Sequence, residues 1–492
     1  MHGQDMADSR PNIILLLTDN HPVDHVGCMS DTLCRTPTFD RIGGEGVCIE
    51  NMRTTSPLCS PARASLFTGF HPHQAGVPTA HLPWKDQWGI ETGHGDEVFT
   101  KPAITEQLRR VGYQCLYGGK WHVGTKNMET TFDRSVAADE GFEDYMSWCK
   151  VQGIPNGFLF RDPQRGKKFR FHQYPHMVQP HTAPLDIAAE HEHNRWMLTN
   201  AVELFEQRDR QRPLFMVFST YGPHPPLSIP EPYYSMYDPA DVPKPADWGV
   251  IAGEPSFYEN CYYRRMFKHQ GENFDDWRKV IAVSWGYATY IDALYAQVVA
   301  RLEAEGMLDN ALLIMASDHG DMMGRRGLWR LFVPYEASIR APWLMRWPGV
   351  IQPGTRLGSD VSIMDVGATI LDAAGVELAP LGLEAESVLP YVTGQRTAPP
   401  VRDCFSQFDQ PPTWDQWFGV EDWRCIVRRP WKYVLYLNAV EELYHLKNDP
   451  LEARNLAMEP AFRAARDELR TAVLDWSRRT GDHFVDRMRP TQ

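Results

Sequence analysis

The stretch Cys59-Ser60-Pro61-Ala62-Arg63 pairs a thiol with a guanidinium four positions on. Pro61 suits the first position of a helix, where its missing N–H is no loss. Gly69 suits the left-handed residue just past the end of that helix. The free N–H groups and positive dipole end of such a helix attract an anion. Arg63 adds a planar fork of donors that matches a tetrahedral oxyanion. The chemistry implied is a thiol, or a group made from one, facing a sulfate- or phosphate-like substrate. A free Cys on its own is more often a small buried hydrophobe, so the weight falls on its companions.

Those companions follow apolar runs. Residues 12–18 (NIILLLT) end in Asp19-Asn20-His21, and 113–117 lead to Gly118-Gly119-Lys120-Trp121-His122. Residues 214–220 (LFMVFST) lead to Pro223-His224-Pro225-Pro226, and 311–316 (ALLIMA) to Ser317-Asp318-His319-Gly320-Asp321. Short runs this apolar read as strands buried on both faces. The carboxyl ends of parallel strands are where α/β sheets place their sites. Lys120 and His122, two apart on an extended segment, face the same side. Asp19, Asn20, Asp318 and His319 form an oxygen-rich set that suits a hard cation, Ca²⁺ first or Mg²⁺, with His319 admitting Mn²⁺. His191 and His193 sit two apart on an expected helix and share no face, so they give no zinc site.

Helices are expected between the strands: 104–111 closed by Gly112, 187–207, a helix through Ile291 and Leu302 closed by Gly306, and 362–374 closed by Gly375. Strands alternating with helices predict an α/β fold, a large, mostly parallel central sheet sandwiched by helices. A composition shift near 385–402 divides the chain into a catalytic α/β domain, 1–395, and a smaller C-terminal α+β subdomain, 396–492. The latter has two short strands around Arg429-Pro430 and a final helix with Phe462, Ala465, Leu469, Val473 and Trp476 on one face. Stretches 84–98, 126–186 and 225–280 read as irregular walls of a binding site.

Composition narrows the partners. The 492 residues carry 50 basic and 63 acidic side chains, a net charge of −13. That argues against nucleic acid or an anionic membrane as partner. No run of about 18 apolar residues is present to span a bilayer. The first eleven residues lack the basic and apolar regions of a secretory signal, so a cytoplasmic location is expected. The nine cysteines form no C-x-x-C pair and their number is odd, which indicates neither a structural zinc site nor a full disulfide framework.

Taken together, these motifs resemble the type I sulfatase family of the alkaline-phosphatase-like superfamily. Cys59-x-Pro61-x-Arg63 through Gly69 resembles the family signature, and Gly119-Lys120-Trp121-His122-x-Gly124 its Gly-Lys-Trp-His stretch. Pro223-His224-x-Pro226 resembles its third histidine site. Ser317-Asp318-His319-Gly320, with Gly327-Leu328-Trp329 and Tyr335-Glu336, resembles its second metal motif. Glu442-Leu443-Tyr444 through Asn448-Asp449-Pro450 and Asn455-Leu456 resembles its C-terminal part. The resemblance implies that Cys59 is converted to formylglycine by a formylglycine-generating enzyme. It implies one divalent metal on Asp19, Asn20, Asp318, His319 and the residue at 59. The hydrated aldehyde would attack sulfur, with Arg63 orienting it. Lys120 and His224 would contact the sulfate or the leaving oxygen, one of them giving the proton, and His122 would be the base that releases sulfate. The substrate would be a small sulfate ester of a sugar, an aryl or an alkyl alcohol, and a homo-oligomer is left open.

The chain departs from the family pattern at three places. Asp19-Asn20 stands where many members have two Asp, Ala62 where many have Ser, and Leu331 where many have Lys two residues past the Trp. Arg330 or a residue from elsewhere must replace that Lys, or the contact is lost. The nearest rival function is a formylglycine-dependent phosphonate monoester or phosphodiester hydrolase. A non-catalytic binding protein on the same fold would lack a core residue, and all but one of the expected core positions are filled.

Overall fold

The computed structural model describes residues 10–79, 99–136, 142–154, 160–161, 168–169, 180–249, 253–397, 402–410 and 419–488. Its central sheet has eight strands: β1 (Asn12–Asp19), β2 (Val47–Arg53), β3 (Gln114–Gly119), β4 (Arg134–Val136), β5 (Leu214–Pro223), β6 (Ala311–Ser317), β7 (Trp343–Arg346) and β8 (Thr355–Ser362). Their order across the sheet is β8-β2-β7-β6-β1-β5-β3-β4. Every neighbouring pair is parallel except the two made by β7, which runs against the rest. The expected mostly parallel sheet is therefore present.

Alternation along β1 explains the layers. Ile14 and Leu16 face a core shared with α1 (Pro37–Gly44), α4 (His193–Glu206) and α5 (Phe274–Ala304). Ile13, Leu15 and Leu17 face a second core shared with α2 (Cys59–Thr68), α3 (Ile104–Arg110) and α6 (Met364–Ala373). Successive strand residues point to opposite faces, so a strand apolar at every position must be covered on both. Each such Leu or Ile contributes about 1.5–3 kcal/mol by leaving water.

Several expected boundaries shift. The stretch 225–280 is not wholly irregular: it holds the helix Tyr262–Gln270 and the first turns of α5. Phe274, Trp277, Val280 and Ile281 give α5 a buried stripe at helical spacing, interrupted in sequence by Asp275, Asp276, Arg278 and Lys279. Its two early acids favour the positive end of the helix. Ser362 ends β8 instead of opening α6. The stretch 84–98 lies outside the described residues, as does much of 126–186.

Beyond the main sheet, β9 (Cys404–Phe408), β10 (Trp423–Arg428), β11 (Trp431–Tyr436) and β12 (Glu441–His445) form an antiparallel sheet in sequence order. The long terminal helix α7 (Arg463–Thr480) lays Leu469 and Val473 on its Ile426, Tyr433, Leu435 and Leu443. Two hydrogen bonds tie this sheet to the segment leaving β2: Gln407 N–H to the Thr55 carbonyl, 2.7 Å, and Ser406 Oγ–H to the Thr54 carbonyl, 2.6 Å.

Candidate active site

Four strands deliver the site to one edge. The parallel register of β1 and β6 pairs Thr18 with Ser317, so Asp19 and Asp318 leave the sheet side by side. β3 ends at Gly119, whose φ is +104° and where a Cβ would meet the Ser219 carbonyl oxygen at 1.8 Å. Only glycine permits that approach, and Lys120 follows it. β5 ends at Pro223 and hands on His224. α2 starts at Cys59, so Pro61 is its third residue and not its first, and Gly69 closes that helix at φ +75°.

The Cys59 Sγ lies 3.2 Å from His319 Nε2 and 3.6 Å from Asp19 Oδ1. One ligand atom from each of Asp19, Cys59, Asp318 and His319 falls within 4.8 Å of the others, and all four residues are buried. His319 Nδ1 faces the Gly320 carbonyl at 3.0 Å. A carbonyl only accepts, so Nδ1 carries the proton and Nε2 presents its lone pair. Asn20 sits at φ +57°, a left-handed position that Asn tolerates. Its backbone N–H donates to Asp318 Oδ1 at 3.0 Å and its Nδ2 to Asp321 Oδ2 at 2.9 Å. Its Oδ1 is buried with no hydrogen-bond partner. Two carboxylates, an imidazole lone pair and an orphaned amide oxygen fit a hard divalent cation.

Arg63 does not stand open to an anion. Its Nε donates to Asp318 Oδ2 at 2.8 Å and its Nη2 to Asp19 Oδ2 at 3.2 Å. Its Nη1 donates to the Lys120 carbonyl at 2.6 Å and to Ser219 Oγ at 3.1 Å. The fork expected to grip an oxyanion instead binds the two carboxylates together. Lys120 Nζ reaches Asp19 Oδ2 at 2.6 Å and lies 4.5 Å from the centre of the Tyr221 ring. His122, at φ +61°, completes this side.

Electrostatics sort the groups. Burial and Asp318 push the Asp19 carboxyl up, but Lys120, His224 and Arg63 outweigh them and hold it below its usual range. Burial likewise opposes ionisation of Asp318, and His319, Arg63 and Lys120 overcome it and keep it well below normal. Burial, with Asp19 beside it, pushes the Cys59 thiol up despite Lys120 and a hydrogen bond from His122. The resident species is thus a thiol, a weak nucleophile compared with thiolate. Burial and Arg330 hold the His224 imidazole far below its usual value.

Leu331, where the family pattern has Lys, is buried in the apolar core. Arg330 is the residue in the site: its Nη2 lies 2.8 Å from His224 Nε2. Sequence reasoning missed Asp321, which fixes the Asn20 amide, and Ser219, which holds Arg63. Both lie at or just past the ends of predicted strands, and that was the only signal they gave.

The sulfatase family profile matches residues 11–376, most of the chain. The chain belongs to the sulfatase family. A second profile, N-sulphoglucosamine sulphohydrolase, C-terminal, matches residues 324–479 of this sulfatase. It is 24% identical over 498 residues to an arylsulfatase of Clostridium perfringens, covering 94% of each chain. It is 25% identical to a choline-sulfatase of Rhizobium meliloti, covering 92% of this chain and 84% of that one. Its fold also matches the solved phosphonate monoester hydrolase from Silicibacter pomeroyi, with a TM-score of 0.76 at 22% identity over 97% of both chains. Among the described residues, no helix of this sulfatase is long and apolar enough to cross a membrane.

Proposed function

We propose that the protein hydrolyses a sulfate monoester to an alcohol and inorganic sulfate at the Cys59 cluster, with Cys59 converted to formylglycine. Asp19, Asn20, Asp318, His319 and the side chain at 59 would hold one divalent cation, Ca²⁺ first, then Mg²⁺ or Mn²⁺. The observation that carries this reading is the buried, unpartnered Oδ1 of Asn20 beside two carboxylates held ionised. Such a cation, when bound, polarises sulfate oxygens and lowers the pKa of an oxygen nucleophile.

The chain's own residues do the rest. Arg63 fixes the spacing of Asp19 and Asp318. Lys120 brings positive charge to the non-bridging oxygens and a proton for the leaving oxygen. A thiol at 59 has no second hydroxyl with which to expel sulfate, whereas a hydrated aldehyde has one, and His122 is the base beside it. Maturation needs a formylglycine-generating enzyme as partner. The division at 395/396 is our proposed domain boundary. The substrate is a sulfated sugar, aryl or alkyl alcohol.

The rival, phosphonate or phosphodiester hydrolysis, is favoured by the phosphonate monoester hydrolase fold neighbour. The pair Lys120 and His122 supports the sulfate reading, since it crowds positive charge around a small monoanionic ester. Mass spectrometry of the tryptic peptide spanning Cys59, from a host with the modifying enzyme, is expected to show an aldehyde. Turnover of aryl sulfates is expected to exceed that of aryl phosphonates. An unmodified, inactive protein would sink the mechanism, and the reverse preference would install the rival.

A further inference from the structure

Trp329, Leu331 and Phe332 are all buried in the apolar core, and Arg330 between them sits at φ +73°, a left-handed step rare for a residue with a Cβ. The residue is only 4% exposed, and besides Tyr263 the titratable groups near it include Asp321, Tyr221 and Cys59. Those three come from the ends of β6 and β5 and the start of α2, so the guanidinium stands within the catalytic edge.

Three of its nitrogens can be followed. Nη2 lies 2.8 Å from His224 Nε2. Nε and Nη1 are buried with no hydrogen-bond partner. Buried donors left unmade are costly, and a guanidinium has no acceptor with which to compensate. These two nitrogens lie on either side of Nη2, so they offer separate charged N–H donors, the kind that sulfate, phosphate and carboxylate oxygens accept from.

The same contact fixes the proton on His224. The guanidinium can only donate, so Nε2 accepts. Nδ1 faces the Pro225 carbonyl, which only accepts, so Nδ1 holds the hydrogen. With Arg330 in place, His224 has no proton on Nε2 to give.

We propose that Arg330 is this chain's contact to the sulfate oxygens of the substrate, and that His224 is a positioning residue aiming Arg330, not the acid for the leaving oxygen. This rests on the sulfatase reading. In the balance of the step, an already deprotonated oxygen of residue 59 bonds to sulfur, and the S–O bond to the alcohol breaks with its electron pair on the leaving oxygen. The leaving oxygen takes its proton from Lys120 Nζ, while Arg330 and His224 keep theirs.

Inorganic sulfate is the first probe, titrated calorimetrically into the metal-loaded protein without turnover. R330L is expected to weaken sulfate binding about 10- to 100-fold, the range of a lost charge-assisted hydrogen bond. R330K, which keeps the charge, is expected to lose less and guards against a folding artefact. Sulfate bound equally well by a folded R330L overturns the assignment, whether or not the wild type turns over any ester. If R330L loses sulfate but the wild type hydrolyses no sulfate ester, the anion contact stands and the sulfatase reading falls. The second probe is a series of aryl sulfates whose phenols span several pKa values. H224Q is expected to lower kcat/KM by one common factor across the series, and K120M by a factor that grows as the phenol becomes a poorer leaving group. A loss that grows with phenol pKa in H224Q overturns the positioning role.

Discussion

Two of the buried clusters of charge among the described residues differ in what they leave undone. One joins the two sheets. Arg53 binds Glu336 through Nε at 3.0 Å and Nη2 at 2.7 Å, and Asp360 through Nη1 at 2.5 Å. Lys432 Nζ meets Glu452 at 2.5 Å and Glu336 at 3.2 Å, and the backbone N–H of Glu336 returns to Glu452 at 2.8 Å. Within that set cation and acid answer each other. The second cluster is the catalytic edge. There Arg63 and Lys120 answer Asp19 and Asp318, yet Asn20 Oδ1 and two nitrogens of Arg330 stay without partners. Buried charge alone does not mark a site, since the junction is as buried and as charged. What marks it is that the same edge holds an orphaned acceptor, suited to a cation, and orphaned donors, suited to an anion.

The largest expected effect breaks the catalytic edge only. C59A is expected to lower aryl sulfate turnover about a thousandfold or more, as losses of a nucleophile do, while its melting temperature stays near that of the wild type. A C59A protein that retains activity would show that residue 59 is not the nucleophile. The next breaks the junction only. E336L leaves Arg53 and Lys432 short of a partner and is expected to cost about 3–5 kcal/mol, read from the urea midpoint. A cost under 1 kcal/mol would mean the junction charges are as loosely held as surface pairs, for which about 0–1 kcal/mol is usual.

A third test sharpens the contrast. Stripping divalent cations and adding Ca²⁺ back is expected to stabilise the protein by about 2.7 kcal/mol at a hundredfold excess over Kd. N20A is expected to shrink that gain at the same Ca²⁺ concentration, and an equal gain would remove Asn20 from the ligand set.

The smallest effect is a pH dependence set by buried acids outside the catalytic edge. Glu442 is fully buried under Tyr335 and Tyr436, whose hydroxyls lie 3.0 and 3.3 Å from its oxygens. Burial pushes its carboxyl up from 4.5 to about 8. A raised acid favours the fold while protonated. Its contribution is therefore full below 4.5, declines as pH rises toward about 8, and is gone above that. Asp482 behaves oppositely: its bonds to Arg424 outweigh burial and bring it to about 2, so its contribution is present above 3.8 and lost as pH falls through 2. Stability profiles of E442Q and D482N, taken by denaturation across pH, are expected to lose the alkaline and the acid slope respectively.

Much of the site is legible in sequence because it follows from position along strands. An apolar run that stops at Asp19 or Asp318 announces both the strand and the edge. The order of those strands is not legible. β2, VCIENMR, carries Glu50, Asn51 and Arg53 and does not read as a buried strand. It becomes one because Glu336 and Asp360, more than 280 positions away, neutralise Arg53. Arg330 and Leu331 show the same limit at the scale of one residue. Family spacing points to position 331, but a left-handed backbone step at 330 gives the core the leucine and the site the arginine.

Arg63 has a consequence beyond the carboxylates it holds. One side chain touches what four strands deliver: Asp19 after β1, the Lys120 carbonyl after β3, Ser219 of β5 and Asp318 after β6. A slip of one residue moves a strand by about 3.3 Å, more than any of these bonds can follow. Arg63 thus works as a spacing gauge that closes only when all four strands are in step. A misaligned sheet therefore cannot carry the assembled centre: the register that aligns the strands is the same one that makes the edge competent.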